Sequence, residues 1–382
     1  MASTKFTIVI LQEVTTSMER RATASITAKL KSLGASASSL AAKVKQSLSK
    51  RPGPSARDSV RAHHSGPSPF GVLIRKEVAD HIRSWRFILL LGIIALTCVA
   101  SLYTAMNSIQ EAIRSDSETN DFVILKLFTI SDGTLPTFIG FVGFLGPLLG
   151  IGMGFDAINS ERNKGTLSRI MAQPIHRDDL LNAKFVASLM VISLMFLTLG
   201  LLTMALGTLI IGIPPTFEEF LRVISFLVVT IFYVAFWLNL SITFSVRFRQ
   251  PATSALSSIA VWLFFSFFFD MILNLLARGI APNAATATMN DVLNYQNMML
   301  WLGRLSPYTL FNEAASTLLM PSIRNLGPLT TEQVYGAIAS PLPFGQSLLL
   351  VWPQITGLTA ATLICFAISY VMFLRQEIRG RA

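Results

Sequence analysis

Six long apolar runs constrain this chain more than any other feature. They are Phe87–Met106, Leu135–Phe155, Phe185–Ile211, Val223–Val246, Ala255–Ala277 and Leu348–Leu374. Five contain no Asp, Glu, Lys or Arg, and the fifth in order carries one, Asp270. About 18 apolar residues suffice to cross a hydrocarbon core of about 30 Å. Backbone polar groups find no partners in lipid, so each crossing must be a helix or part of a closed barrel. Barrel strands alternate in polarity over about 10 residues, and nothing here does. Composition agrees: only 14% of the 382 residues are charged, where a soluble domain carries about 25%. The expected fold is an all-α membrane protein with six transmembrane helices.

The net charge of +10 is distributed as a membrane protein requires, and implies no nucleic acid. Of the 31 Lys and Arg, only Arg114, Lys126, Arg222, Arg278, Arg304 and Arg324 fall in the segments on one side. Basic residues concentrate on the cytoplasmic side of membrane proteins, which predicts both termini inside. Cys98 and Cys365 both lie within apolar runs, where reduced packing roles are expected. No metal motif is present.

The organisation along the chain follows. Residues 1–68 are rich in Ser, Ala and Lys and read as a poorly ordered extension, with a basic amphipathic helix as the alternative. Residues 69–86, PFGVLIRKEVADHIRSWR, place Phe70, Ile74, Val78, Ile82 and Trp85 on one helical stripe. That pattern predicts an amphipathic interfacial helix leading into the first span. Residues 87–374 form the six-span domain, and residues 375–382 a cytoplasmic tail. The segment between Arg278 and Gln346 is a long outer loop before the last helix. Its apolar clusters and aromatic residues predict short interfacial or re-entrant helices there. Gly146, Gly150 and Gly154 recur at a spacing of four, which suits close helix packing.

The segment 154–184, GFDAINSERNKGTLSRIMAQPIHRDDLLNAK, concentrates mixed charge where a short loop would suffice. Thr166–Ala172 reads as a short helix across the membrane face. A break follows at Gln173-Pro174, and Asp178 and Asp179 suit the first turn of the next helix. The ordered series Phe155-Asp156, Ile158-Asn159, Glu161-Arg162, Gly165-Thr166-Leu167, Gln173-Pro174-Ile175, Arg177 and Lys184 resembles the signature loop of type-2 ABC transporter permeases. The six-span layout and amphipathic lead-in are similar as well.

The resemblance implies a permease subunit, an exporter, that dimerises with itself or a related chain. ATP and Mg would be bound by a separate ABC ATP-binding subunit. Asp156, Glu161, Arg162, Gly165, Thr166, Leu167, Gln173 and Pro174 would then form the element coupled to that subunit. It further implies a multi-pass plasma membrane protein of a bacterial or archaeal cell. The chain has no GxxxxGK[ST] loop to hold ATP and no catalytic motif, so no catalytic residue, directly bound cofactor or metal is expected.

Asp270 is the one ionisable group inside a run, and intramembrane charges are candidates for a translocation path. Asn274 and Arg278 follow on about the same face, so pairing with either is the competing expectation. An ion- or proton-coupled carrier or channel working without an ATPase is the alternative function. It would need polar groups near the midplane, and the sequence supplies little beyond Asp270, Asn239 and Ser241.

Overall fold

The computed structural model describes residues 69–114, 122–131, 136–172, 177–282, 288–321 and 342–375. These belong to one unit, 67–382. Residues 1–68, Gln173, Pro174 and the tail 376–382 lie outside the described residues.

Every described element is helical. Helix α1 covers Pro69–Ile82 and α2 Trp85–Arg114. A short α3, Val123–Thr129, precedes α4, Phe138–Gly154. The 154–184 segment carries α5, Asn159–Asn163, and α6, Thr166–Met171. Then come α7, Arg177–Ile211, and α8, Phe217–Arg247. Helix α9, Pro251–Leu263, continues through a π-helical turn, Phe264–Phe268, into α10, Phe269–Ile280. Helices α11, Met289–Gly303, and α12, Pro307–Leu319, precede α13, Phe344–Arg375.

Six helical stretches among the described residues are long and apolar enough to cross a membrane, one for each run. They extend past the apolar limits because backbone hydrogen bonding does not stop where charge begins. Helix α8 starts at Phe217 rather than Val223, since Thr216 and Glu219 form a capping box. Thr216 Oγ1 accepts from the Glu219 amide at 3.2 Å, and the Thr216 amide donates to Glu219 Oε2 at 2.8 Å. Such a cap satisfies amides that a helix start leaves without partners.

Helix α8 is the centre of the bundle. Buried residues make up 67% of its most apolar 18-residue stretch, against 6% for that of Pro251–Ile280. Helix α4 lies against it with almost no space between backbones. A Cβ added at Gly150 would meet Val234 O at 2.8 Å and Leu238 N at 2.9 Å; one at Gly154 would meet Leu238 O at 2.7 Å. At Gly146 the nearest atom is Val234 Cγ2, at 3.0 Å. Pro147 sits inside α4 without breaking it. Proline lacks the amide that would bond the carbonyl four residues back, here Gly143 O. The buried Tyr233 hydroxyl of α8 donates to that oxygen at 2.9 Å, so no buried acceptor is stranded.

This contact makes a prediction. Gly150→Ala must push backbone against backbone, and overpacking typically costs about 1–3 kcal/mol. Gly92→Ala on α2 meets nothing within 4 Å and should be close to neutral. Melting curves of both variants in one detergent are the check; equal curves would contradict the close approach.

At the end of the bundle opposite the 154–184 loop, α12 buries Phe311, Ala314, Ala315, Leu318 and Leu319 against α8 and α13. Helix α11 is largely exposed. Arg222 is fully buried here, although the charge pattern alone counts it as an outer loop residue. It belongs to α8, one turn after Glu218. The segment 322–341 lies outside the described residues.

Candidate functional site

The chain's polar chemistry gathers where α1, the 154–184 loop and the start of α7 meet. Helix α1 packs on α7, and its buried positions are Leu73 and Glu77. This face is rotated from the stripe that the apolar residues define. Ile82 of that stripe is exposed and Trp85 belongs to α2; a carboxylate, Glu77, takes the most buried position of α1. It does so for a partner. Lys184 Nζ on α7 donates to Glu77 Oε2 at 2.9 Å and to Glu161 Oε1 of α5 at 3.0 Å. Lys76 Nζ closes the cluster, at 3.0 Å from Glu77 and 3.5 Å from Glu161.

Two ammoniums thus face two carboxylates. The Lys184, Glu77 and Glu161 side chains are 6%, 5% and 12% exposed. Buried charges are tolerated when paired and fully hydrogen-bonded. One ammonium therefore ties three separate segments together: α1, the loop and α7.

Neighbouring contacts extend the clamp. Arg86 at the start of α2 pairs with Asp156 and lies over the Phe155 ring. The His81 Nε2 and Ser188 Oγ are 2.9 Å apart, joining α1 to α7 again. Ser245 Oγ, near the end of α8, accepts from the amides of Ile158 at 2.9 Å and Asn159 at 3.2 Å. Asn163 Nδ2 donates to Arg249 O at 3.0 Å. The loop is therefore fixed to α1, α2, α7 and α8, which a slack connection would not be.

The loop residues singled out by sequence separate into two groups. Asp156 and Glu161 point inward to Arg86 and Lys184, and Leu167 of α6 is buried. Thr166 Oγ1 donates to Glu161, at 3.1 Å to its backbone O and 3.2 Å to Oε2. Arg162 is partly exposed and Gly165 exposed. Gly165 has φ of +69°, a left-handed conformation that glycine adopts without steric cost. It forms the turn between α5 and α6. Gln173 and Pro174 lie outside the described residues. Sequence reasoning overlooked Glu77, His81 and Ser245. Glu77 carried a signal only in its spacing of four from Leu73 and from His81.

Asp270 stands far along the chain from this cluster. It is half-buried, and among the described residues it makes no hydrogen bond or ion pair with Asn274, which is exposed, or with Arg278. The pairing expected along α10 is not made. Its charge instead acts across to Tyr308 of α12, whose phenol is pushed up first by burial and then by Asp270.

The cluster is sensitive to acid. Burial alone would raise the Glu77 carboxyl, but Lys184 and Lys76 outweigh it and hold the group below its ordinary 4.5. Burial holds His81 below its ordinary 6.5. In both cases the unfolded chain takes up its proton first as pH falls, so stability is lost on acidification. Loss should begin below about pH 6.5 through His81 and resume below about pH 4.5 through Glu77. Melting temperature against pH measures this, and His81→Gln should remove the earlier step alone.

A bundle of six apolar spans, with a polar loop clamped at one end, defines the class: a multi-pass helical membrane protein. Residues 72–378 match the family model described as ABC-2 family transporter protein. The chain belongs to that family and is an ABC-2 transporter permease, a membrane subunit with no ATPase activity of its own. A search of the curated proteins finds no match.

Proposed function

We propose that this permease works as an exporter driven by a separate ATP-binding subunit, which holds ATP and Mg, and that it assembles as a homodimer or heterodimer. In this reading the loop end faces the cytoplasm of a bacterial or archaeal cell, and both termini lie on that side. The charge bias of the flanking segments supports the orientation; labelling of a cysteine at Arg249 by an impermeant reagent from outside would overturn it.

The observation that carries the mechanism is the triple attachment of Lys184. The outer side of the loop, around Arg162 and Gly165, is the more exposed one, and in this reading it meets the partner. Its inner side is bonded to α1 and α7 through Glu161, which Thr166 braces from within the loop, with Asp156 holding α2. A push on the outer side is therefore delivered to three helices as a rigid-body displacement, since packed elements transmit motion that a slack loop absorbs. Glu161 acts as the inner relay of this element rather than as a contact with the partner. Gln173 and Pro174 complete the coupling element in the family resemblance.

The expected result for Gly165→Pro follows. Proline fixes φ near −65°, opposite in sign to the turn, while the spans remain apolar and inserted. Spin labels at exposed Val72 and Leu209 report ATP-dependent movement without knowledge of the cargo. The wild-type complex should change its label distances with ATP and vanadate. The variant should still co-purify with the ATP-binding subunit and hydrolyse ATP, yet show little or no change. An undiminished change in the variant would reject the loop as the transmitter. The carrier alternative has less support: Asp270 is the one acidic or basic side chain in the middle of a span among the described residues, and it is only half-buried.

A further inference from the structure

Beside the clamp is a cavity of about 860 Å³, bounded by α1, the start of α2, the end of α4 and the loop helices. Its lining divides by polarity. Phe87, Leu90, Gly152 and Met153 give one apolar side, and the ion cluster gives the other. Every lining carboxylate has a partner: Glu77 and Glu161 in Lys184 and Lys76, Asp80 in Lys76, Asp156 in Arg86.

Two lining cations do not. Lys164 and Arg169 are exposed, and neither side chain makes a hydrogen bond or ion pair with the described residues. An amphipathic hollow with surplus positive charge suits a ligand that joins an anion to an apolar body. The surroundings supply a path for that body. Trp85 is 74% exposed beside the cavity, and indole suits the headgroup level. Beyond it, Ile88, Leu89, Ile93 and Leu96 are exposed along α2, an apolar track leading into the bilayer.

We propose that this cavity binds the headgroup of an anionic phospholipid, with its phosphate held by Lys164 and Arg169 and its acyl chains lying along α2. The lipid would fill the space between α1 and the loop and thereby brace the clamp. A soluble phosphate ester offers the same anion, but it would leave the apolar side and the α2 track uncovered. The proposal does not depend on an ATP-binding subunit, and its test uses the permease alone.

The experiment is native mass spectrometry of the purified, delipidated full chain in detergent, offered phosphatidylglycerol and phosphatidylcholine at equal concentration. Each basic residue near a membrane surface contributes about fivefold to anionic lipid binding. Wild type should prefer phosphatidylglycerol by about tenfold or more, and Lys164→Gln/Arg169→Gln should lose most of that preference. Lys164→Arg/Arg169→Lys should retain it. Excess sn-glycerol 3-phosphate should not displace the lipid. A photoactivatable phosphatidylglycerol on the wild-type chain should label residues 85–90 and 164–170, which keeps the test valid even if the neutral variant folds poorly.

Equal binding of the two lipids, an undiminished preference in the neutral variant, or labelling confined to other helices would overturn the proposal. So would displacement by glycerol phosphate, which marks a free-anion site. A negative result with Gly165→Pro leaves this inference untouched.

Discussion

Lys184→Met should be among the most damaging single substitutions in the chain. It removes the ammonium shared by Glu77 and Glu161, leaving two buried carboxylates with only Lys76 between them. Removing one partner of a buried ion pair typically costs about 3–5 kcal/mol, because the remaining charge keeps its desolvation penalty and loses its compensation. Hydrogen exchange should rise first in Pro69–Ile82 and Asn159–Asn163, the segments that Lys184 secures, before the spans open. The triple substitution Lys184→Met/Glu77→Gln/Glu161→Gln should recover much of the lost stability, since it strands no charge. A single variant that melts like wild type would mean that the cluster is solvated and clamps nothing.

The second large effect is expected at the opposite end of the bundle, from Arg222→Leu. This guanidinium is 0% exposed. It donates to Glu218 through Nε at 3.1 Å and Nη2 at 2.8 Å, to Leu318 O at 3.0 Å and Ser347 Oγ at 3.1 Å, and to Leu342 O. The rings of Phe122 and Phe344 flank it. Arg222 therefore joins α8 to the end of α12 and the beginning of α13. Leucine would leave buried carbonyls without donors, and hydrogen bonds to charged groups are worth about 1.5–3 kcal/mol each. A loss of about 3–5 kcal/mol is expected, with exchange increasing at the start of α13. Arg222→Lys should fall between, because an ammonium keeps the charge but cannot reproduce the planar fork. Equal stability of the leucine and lysine variants would show that charge and geometry contribute nothing separable here.

These two sites also mark how far a linear sequence could be read. All six spans were legible, because the cost of an unpaired backbone group in lipid leaves helices as the default wherever apolar residues persist. The loop between the second and third spans was legible as a polar structured element from its charge and its helix formers. The glycines at 146, 150 and 154 were legible as a close-packing face from spacing alone, but α8 as the surface they meet was not.

Partnership was the quantity the sequence withheld. Arg222 read as an ordinary outer loop charge and Glu161 as part of an element coupled to a separate subunit, since flanking charges normally face away from the spans. Folding brings Leu318, Leu342 and Ser347 around the first, and Lys184 and Lys76 around the second. Glu77 lay unremarked among basic residues until α1 met α7. The apolar stripe of α1 was visible, but which side of it faces protein was decided by one carboxylate seeking one ammonium. Asp270 gave the converse error: helical spacing offered Asn274 and Arg278 as neighbours, and among the described residues it pairs with neither. Periodicity and hydropathy act within a segment, so the sequence by itself determined the spans and their order. The pairing energy of a buried charge depends on atoms a hundred residues away, so only the tertiary structure could decide which charges bind the helices together.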